Sequence, residues 1–88
     1  MNYQEVHLNF CQNIRHLRKV HLLTQKEMAR VIGISVGTLG RIEHCDPSIR
    51  IHCVMLHRIC NHFQISADAL LFENWPRMIE ERFSALKQ

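Results

Sequence analysis

Glycine and proline are scarce, three and two among 88 residues. That leaves little material for the turns of a many-stranded fold, and helices are the economical solution. No stretch approaches the length of a membrane span. Met1 to Phe10 has neither a basic start nor an unbroken apolar run, so it does not read as a signal peptide. Without an export signal the four cysteines are expected to be reduced, in a cytoplasmic protein. The chain also lacks a Gly-rich phosphate loop, a nucleophile elbow and a coupled carboxylate pair, since Glu80 and Glu81 are adjacent and diverge on a helix. Neither enzymatic activity nor a cofactor is expected.

Seven histidines and four cysteines raise the question of a metal, but no C-x-x-C pair accompanies them. His44-Cys45 and His52-Cys53 stand eight residues apart, and Cys53, His57 and Cys60 can share one helix flank. Cysteine is among the most buried residue types, so Cys11, beside Phe10, and Cys53 are expected to pack inward, with zinc or redox sensing as the alternative. No metal ligand is assigned.

The hydrophobic share of 47% is that of a globular protein, and 88 residues make one core. Charge is unevenly spread. Residues 1–62 carry eight Lys or Arg against Glu5, Glu27, Glu43 and Asp46, a balance of +4; residues 63–88 carry three against four, a balance of −1. The positive field therefore belongs to the first two-thirds, which suits a polyanionic partner.

Val6, Phe10, Ile14 and Leu17 recur at helical spacing and predict a helix from Tyr3 to His21, with Gln4, Gln12, Asn13, Arg15 and Lys19 on other faces. Thr24-Gln25-Lys26-Glu27 fits a capping box that opens a second helix, and Gly33 stands where a left-handed C-cap belongs. Ser35 caps a third helix running to about His44, closed by Asp46-Pro47. A fourth spans roughly Ile51 to His62 with Val54 or Cys53, Leu56, Ile59, Cys60 and Phe63 inward; a fifth begins at Ser66 and runs through Leu70, Leu71 and Phe72. In the last helix, entered at Asn74 and Pro76, Trp75, Ile79, Phe83 and Leu86 form one stripe.

Between Gln25 and His44 the spacing is specific. Ala29 and Gly33 lie four apart, then Ile34-Ser35 starts a new helix. Two short helices crossing steeply need a small residue at their contact and a tight turn with positive φ, which Ala29 and Gly33 supply. Met28, Ile32, Ile34, Leu39 and Ile42 would lock such a pair onto a core. This pattern resembles the helix-turn-helix of the Cro and lambda-repressor family, the XRE-type regulators. Ile14-Arg15-His16-Leu17-Arg18, Leu23-Thr24-Gln25, Arg41-Ile42-Glu43 and the series Leu56, Ile59, Cys60, Phe63, Ile65-Ser66 extend the likeness over about residues 10–72. It implies an all-α, five-helix DNA-binding domain over 1–73, motif 25–44, with an additional C-terminal helix over 74–88. It also implies an ion pair between Arg18 and Glu43, tying the first helix to the end of the third, and a small buried position at Cys60.

The implied function is binding of duplex DNA to regulate transcription, with the third helix in the major groove. Ser35, Val36, Gly37, Thr38, Gly40 and Arg41 would face the groove. Thr24 and Gln25 open the second helix, where an amide and free backbone N–H groups can hold a phosphate. Ser48 and Arg50 lie where the family makes further backbone contacts. The chain departs from the family's strongest readers at Val36, which offers only methyl contact, and at Gly37, which offers no side chain, leaving Thr38 and Arg41 to hydrogen-bond bases. The two helical glycines cost about 1 kcal/mol each against alanine; Gly40 allows close approach to DNA or close packing within the protein. Two functions follow: a specific regulator leaning on Arg41, Thr38 and DNA shape, or a helix-turn-helix module that binds protein instead. The stripe of the last helix would pack partly against a second subunit of a homodimer, the alternative being its own domain or the first helix.

Overall fold

Asn2 accepts from the Glu5 N–H and opens α1 (Tyr3–Val20) in the computed structural model, which describes residues 1–86. Then come α2 (Gln25–Ile32), α3 (Val36–Glu43), α4 (Cys53–Phe63), α5 (Ala67–Phe72) and α6 (Trp75–Leu86). The described residues are all-helical with no strand, the fold class expected. The C-terminal segment expected over 74–88 ends among them at Leu86, and Lys87 and Gln88 lie outside the described residues.

Local chemistry sets most boundaries. At α2, Thr24 Oγ1 accepts from the Glu27 N–H while the Glu27 carboxylate accepts from the Thr24 N–H, so two orphan donors are satisfied reciprocally. Gly33 ends that helix at φ +83°. A Cβ there would meet Arg58 Nε at 2.8 Å, which the flexible arginine could yield to, so the left-handed backbone is what favours glycine. Arg58 donates to the carbonyls of Val31 and Arg30, both at 3.1 Å, placing a cation over the C-terminus of α2.

Three further helices end on left-handed residues that are not glycine: Leu22, Cys45 and Gln64, with φ of 56°, 57° and 56°. After α3 the Cys45 N–H bonds to the Ile42 carbonyl and the Asp46 N–H to that of Arg41. This is a Schellman arrangement, and it corrects the expected stop. The chain leaves the helix at Cys45, before Pro47 acts.

Phe10, Ile14 and Leu17 of α1, Met28, Ala29 and Ile32 of α2, Leu39 and Ile42 of α3, Met55 and Ile59 of α4 and Leu70 of α5 form the core. Two sequence expectations need correction. Val54 is 66% exposed and Cys53 is exposed; Met55 fills the inward position instead. The phase follows from Ile59: at 100° per residue, Met55 lies within about 40° of it, and both earlier positions point well away. Asn13, assigned to an outer face, is fully buried. Its amide donates to the carbonyls of Leu70 and Glu73, both at 2.8 Å, and its oxygen accepts from the Trp75 N–H. One turn earlier Asn9 donates to the Leu71 carbonyl and accepts from Asn74. α1 thus has a second, polar docking stripe.

That stripe seats the start of α6. Asn74 is buried and Trp75 half-buried against the core, so the helix begins by folding back on α1. Beyond its first turn the apolar side chains face water: Met78 is 39% exposed, Ile79 42%, Phe83 62% and Leu86 82%.

Candidate nucleic-acid interface

Leu39, Ile42 and Glu43 bury one side of α3. Gly37 and Arg41 lie on the opposite side, Gly40 is half-buried at its flank, and Val36 is exposed in the first turn. Ser35 sets where this face starts: its Oγ accepts from the Thr38 N–H at 3.1 Å and donates to Thr38 Oγ1 at 2.9 Å. A Cβ built at Gly37 would meet only Ser35 Oγ, at 4.0 Å, and one at Gly40 would meet nothing within 4 Å. Packing inside the protein therefore does not require glycine at either position. What results is a helix face with little side-chain relief.

Arg41 lies on this face, held at its base. Its Nε donates to Asp46 Oδ2 at 2.9 Å and its Nη2 to Ser48 Oγ at 2.6 Å. Asp46 Oδ1 accepts from both the backbone N–H and the hydroxyl of Ser48. These bonds, first from the Ser48 N–H, then from its hydroxyl and from Arg41, hold the Asp46 carboxyl down to about 2. Half of the Arg41 side chain remains accessible. Beside it a shallow cleft of about 380 Å³ runs between α3 and the α3–α4 loop, lined by Thr38, Arg41, Ser48 and Arg50. Asp46 is a residue that sequence reasoning passed over, although Asp-Pro-Ser carries an Asx-turn signal. Arg58 was also missed; nothing in its spacing marks it as a cap.

Thr24, Gln25, Ser35, Val36, Gly37, Arg41, Ser48 and Arg50 are exposed, and Thr38 and Gly40 half-buried. Gln25, expected to hold a phosphate, directs its amide to Glu43 Oε1 at 3.2 Å. Arg18 meets the same carboxylate, Nε on Oε2 at 2.6 Å and Nη2 on Oε1 at 3.0 Å, with side-chain exposures of 17% and 5%. The Glu27 carboxyl is held below its usual range by its bonds to Thr24, so an anion already occupies part of the α2 N-terminus.

The thiols do not cluster as ligands: among the described residues no three His, Cys, Asp or Glu side chains stand where they could hold one metal ion. Cys11 is buried, and burial, aided by Cys45, pushes its thiol up to about 12. Cys60 is half-buried and raised by the same cause; Cys53 is exposed. No helix among the described residues is long and apolar enough to cross a membrane.

Comparison with known proteins falls on the same helices. The family profile described as the Cro/C1-type HTH DNA-binding domain matches residues 13–71. Antitoxin PezA of Streptococcus pneumoniae is 42% identical over 55 residues, an overlap covering 62% of this chain and 34% of that protein. The chain thus spans about a third of the length of the curated relative it matches. No solved structure matches.

Proposed function

The chain belongs to the Cro/C1-type helix-turn-helix DNA-binding domain family, and from that premise we propose that it is a sequence-specific transcriptional regulator that lays α3 in the major groove of duplex DNA. The observation that carries this reading is the exposed side of α3. Gly37 and Gly40 are glycines that the protein's own packing does not need, beside a half-accessible Arg41. A helix without side-chain relief can approach base edges closely, and one arginine supplies donors at its margin.

Each assigned residue then has a physical role. Val36 offers methyl contact to thymine, and Thr38 and Arg41 hydrogen-bond bases. Ser35 opens the groove-facing helix, Thr24 and Gln25 approach the phosphates at the start of α2, and Ser48 and Arg50 approach them from the α3–α4 loop. With so few readers, sequence-dependent DNA shape contributes to selectivity. A homodimer formed through α6, acting in the cytoplasm on a two-fold symmetric site, completes the proposal. No catalytic step and no cofactor form part of it.

A second reading has its own support. The relative is named an antitoxin, and Gln25 and Arg41 are both engaged within the protein. On that reading the domain binds another protein and reads DNA weakly or not at all. Titration of random duplex against salt separates the two. Phosphate engagement makes log K fall with log salt by about 0.9 per phosphate neutralised, whereas a protein-interaction module shows no binding even at low salt. Arg41→Ala is expected to cost about 1–3 kcal/mol on the preferred site.

A further inference from the structure

Arginine presents its donors along two edges. Nε and Nη2 form a side edge, and Nη1 with the remaining Nη2 hydrogen forms the end of the fork. In Arg41 the side edge is filled, Nε by Asp46 Oδ2 and Nη2 by Ser48 Oγ. Asp46 is itself fixed, because its other oxygen takes both donors of Ser48. The guanidinium is therefore clamped from one side on the exposed flank of α3, and the two parallel N–H bonds of its end edge meet no acceptor among the described residues. Beside it, Gly37 and Gly40 set no side chain between the helix and an approaching surface.

We propose that Asp46, through Arg41, is a specificity-determining residue that makes this arginine a reader of guanine rather than a phosphate clamp. The inference rests on the DNA-binding reading above and narrows it to a base. Two physical effects act together. The clamp fixes the plane and direction of the fork, so the end edge meets a rigid pair of acceptors with little further loss of side-chain freedom, and guanine presents such a pair as O6 and N7 in the major groove. The Asp46 carboxylate also cancels the arginine charge. Attraction to phosphate, which every sequence offers equally, is largely removed, whereas hydrogen bonding to a neutral base edge is retained. Asp46 is a positioning residue: it does not touch the base.

The test uses the full chain, fluorescence anisotropy and two duplexes, one random and one selected from a random library by the wild-type protein. Asp46→Asn keeps one oxygen for the Ser48 donors but puts an amide N–H where Arg41 Nε needs an acceptor, so it removes the charge and releases the guanidinium together; thermal unfolding checks that the fold is retained. The expected result is binding to random duplex about three- to tenfold tighter at low salt, with a salt slope steeper by about one. Discrimination at one G·C pair of the selected site should fall, and Arg41→Ala in the Asp46→Asn background should erase the gain. Asp46→Glu, which restores the charge, should return the slope towards wild type. Wild-type binding with no gain on random duplex in Asp46→Asn, or a gain that survives Arg41→Ala, overturns the inference and leaves the DNA reading standing. Absence of duplex binding by wild type and Asp46→Asn alike at low salt removes the DNA reading itself, and the inference with it.

Discussion

The Arg18 guanidinium grips the Glu43 carboxylate through two parallel hydrogen bonds, and Gln25 adds a third donor to the same group. Arg18 also reaches the Leu23 carbonyl with Nη1. One shielded carboxylate thus joins α1, the α1–α2 turn, α2 and the end of α3. Because Glu43 is the last residue of α3, this knot fixes the angle at which the helix presents Gly37 and Arg41.

Truncation of Glu43 leaves the largely shielded Arg18 charge without its counter-ion, with the Leu23 carbonyl as its remaining partner. Glu43→Ala is therefore expected to lose about 3–5 kcal/mol, a large part of a small domain's stability. Urea unfolding of the variant with a midpoint equal to wild type would show that the pair carries no such weight.

Asn13 joins three segments through one buried amide. Removing it by Asn13→Ala strands the Leu70 and Glu73 carbonyls and the Trp75 N–H, at about 1–3 kcal/mol for each group left buried and unpaired. Hydrogen exchange should show α5 and the first turn of α6 losing protection more than α2 and α3. Uniform loss across all helices would argue against a local tether.

How legible these features were depends on how local their causes are. Thr24 with Glu27, Gly33 and Ser35 act within four residues of themselves, so their chemistry can be read from spacing alone. Asn13 cannot, because periodicity scores an amide as outward and its partners lie some sixty residues away. Met55 was displaced by Val54 and Cys53 because apolar residues on several sides of α4 leave the phase undetermined until Ile59 is placed. The bond from Arg41 to Asp46 crosses the end of a helix, where the usual i to i+4 rule no longer applies. The Arg18–Glu43 contact was approachable only through the family register, since nothing else relates residues 25 positions apart.

Helix ends show the same limit. Glycine marks one left-handed terminus and misses those at Leu22, Cys45 and Gln64. Leu22 is 90% exposed, so its side chain contributes little packing, while its backbone carries the left-handed penalty of about 1–2 kcal/mol. Leu22→Gly is expected to stabilise the protein by about 0.5–1 kcal/mol, the remainder offset by the greater freedom of glycine in the unfolded chain. A lower urea midpoint at unchanged slope would contradict this.

Acid should destabilise the fold through Asp46 and Glu27. Both carboxyls sit below their ordinary values, Asp46 at about 2 against 3.8, Glu27 lowered by its bonds to Thr24. Between the unfolded and folded values the unfolded chain binds more protons, so stability falls as pH decreases. The Asp46 contribution is complete above about pH 5 and lost progressively down to about pH 1. The stability gap between wild type and Asp46→Asn should accordingly be constant near neutrality and shrink across that acid window. A gap independent of pH down to 2 would place the interaction elsewhere.

Most of the apolar side of α6 has no cover among the described residues. Its first turn is anchored, since Asn74 bonds to Asn9 and Gln12 and the Trp75 N–H bonds to Asn13. Past that point Met78, Ile79, Phe83 and Leu86 lie open to water. Phe72, itself 51% exposed, continues the apolar surface into a groove shared with Met1 and Met78. An exposed stripe at helical spacing is the surface that self-association removes from water, and a two-fold dimer is the arrangement that places two α3 helices on half-sites about one helical turn apart. Ile79→Ser with Phe83→Ser tests this without disturbing the Asn74 and Trp75 anchors. Wild type should sediment as a dimer at micromolar concentration and the double variant as a folded monomer with weaker, non-cooperative binding to a palindromic duplex. If wild type is already monomeric and the double substitution changes neither sedimentation nor DNA binding, α6 is no subunit interface.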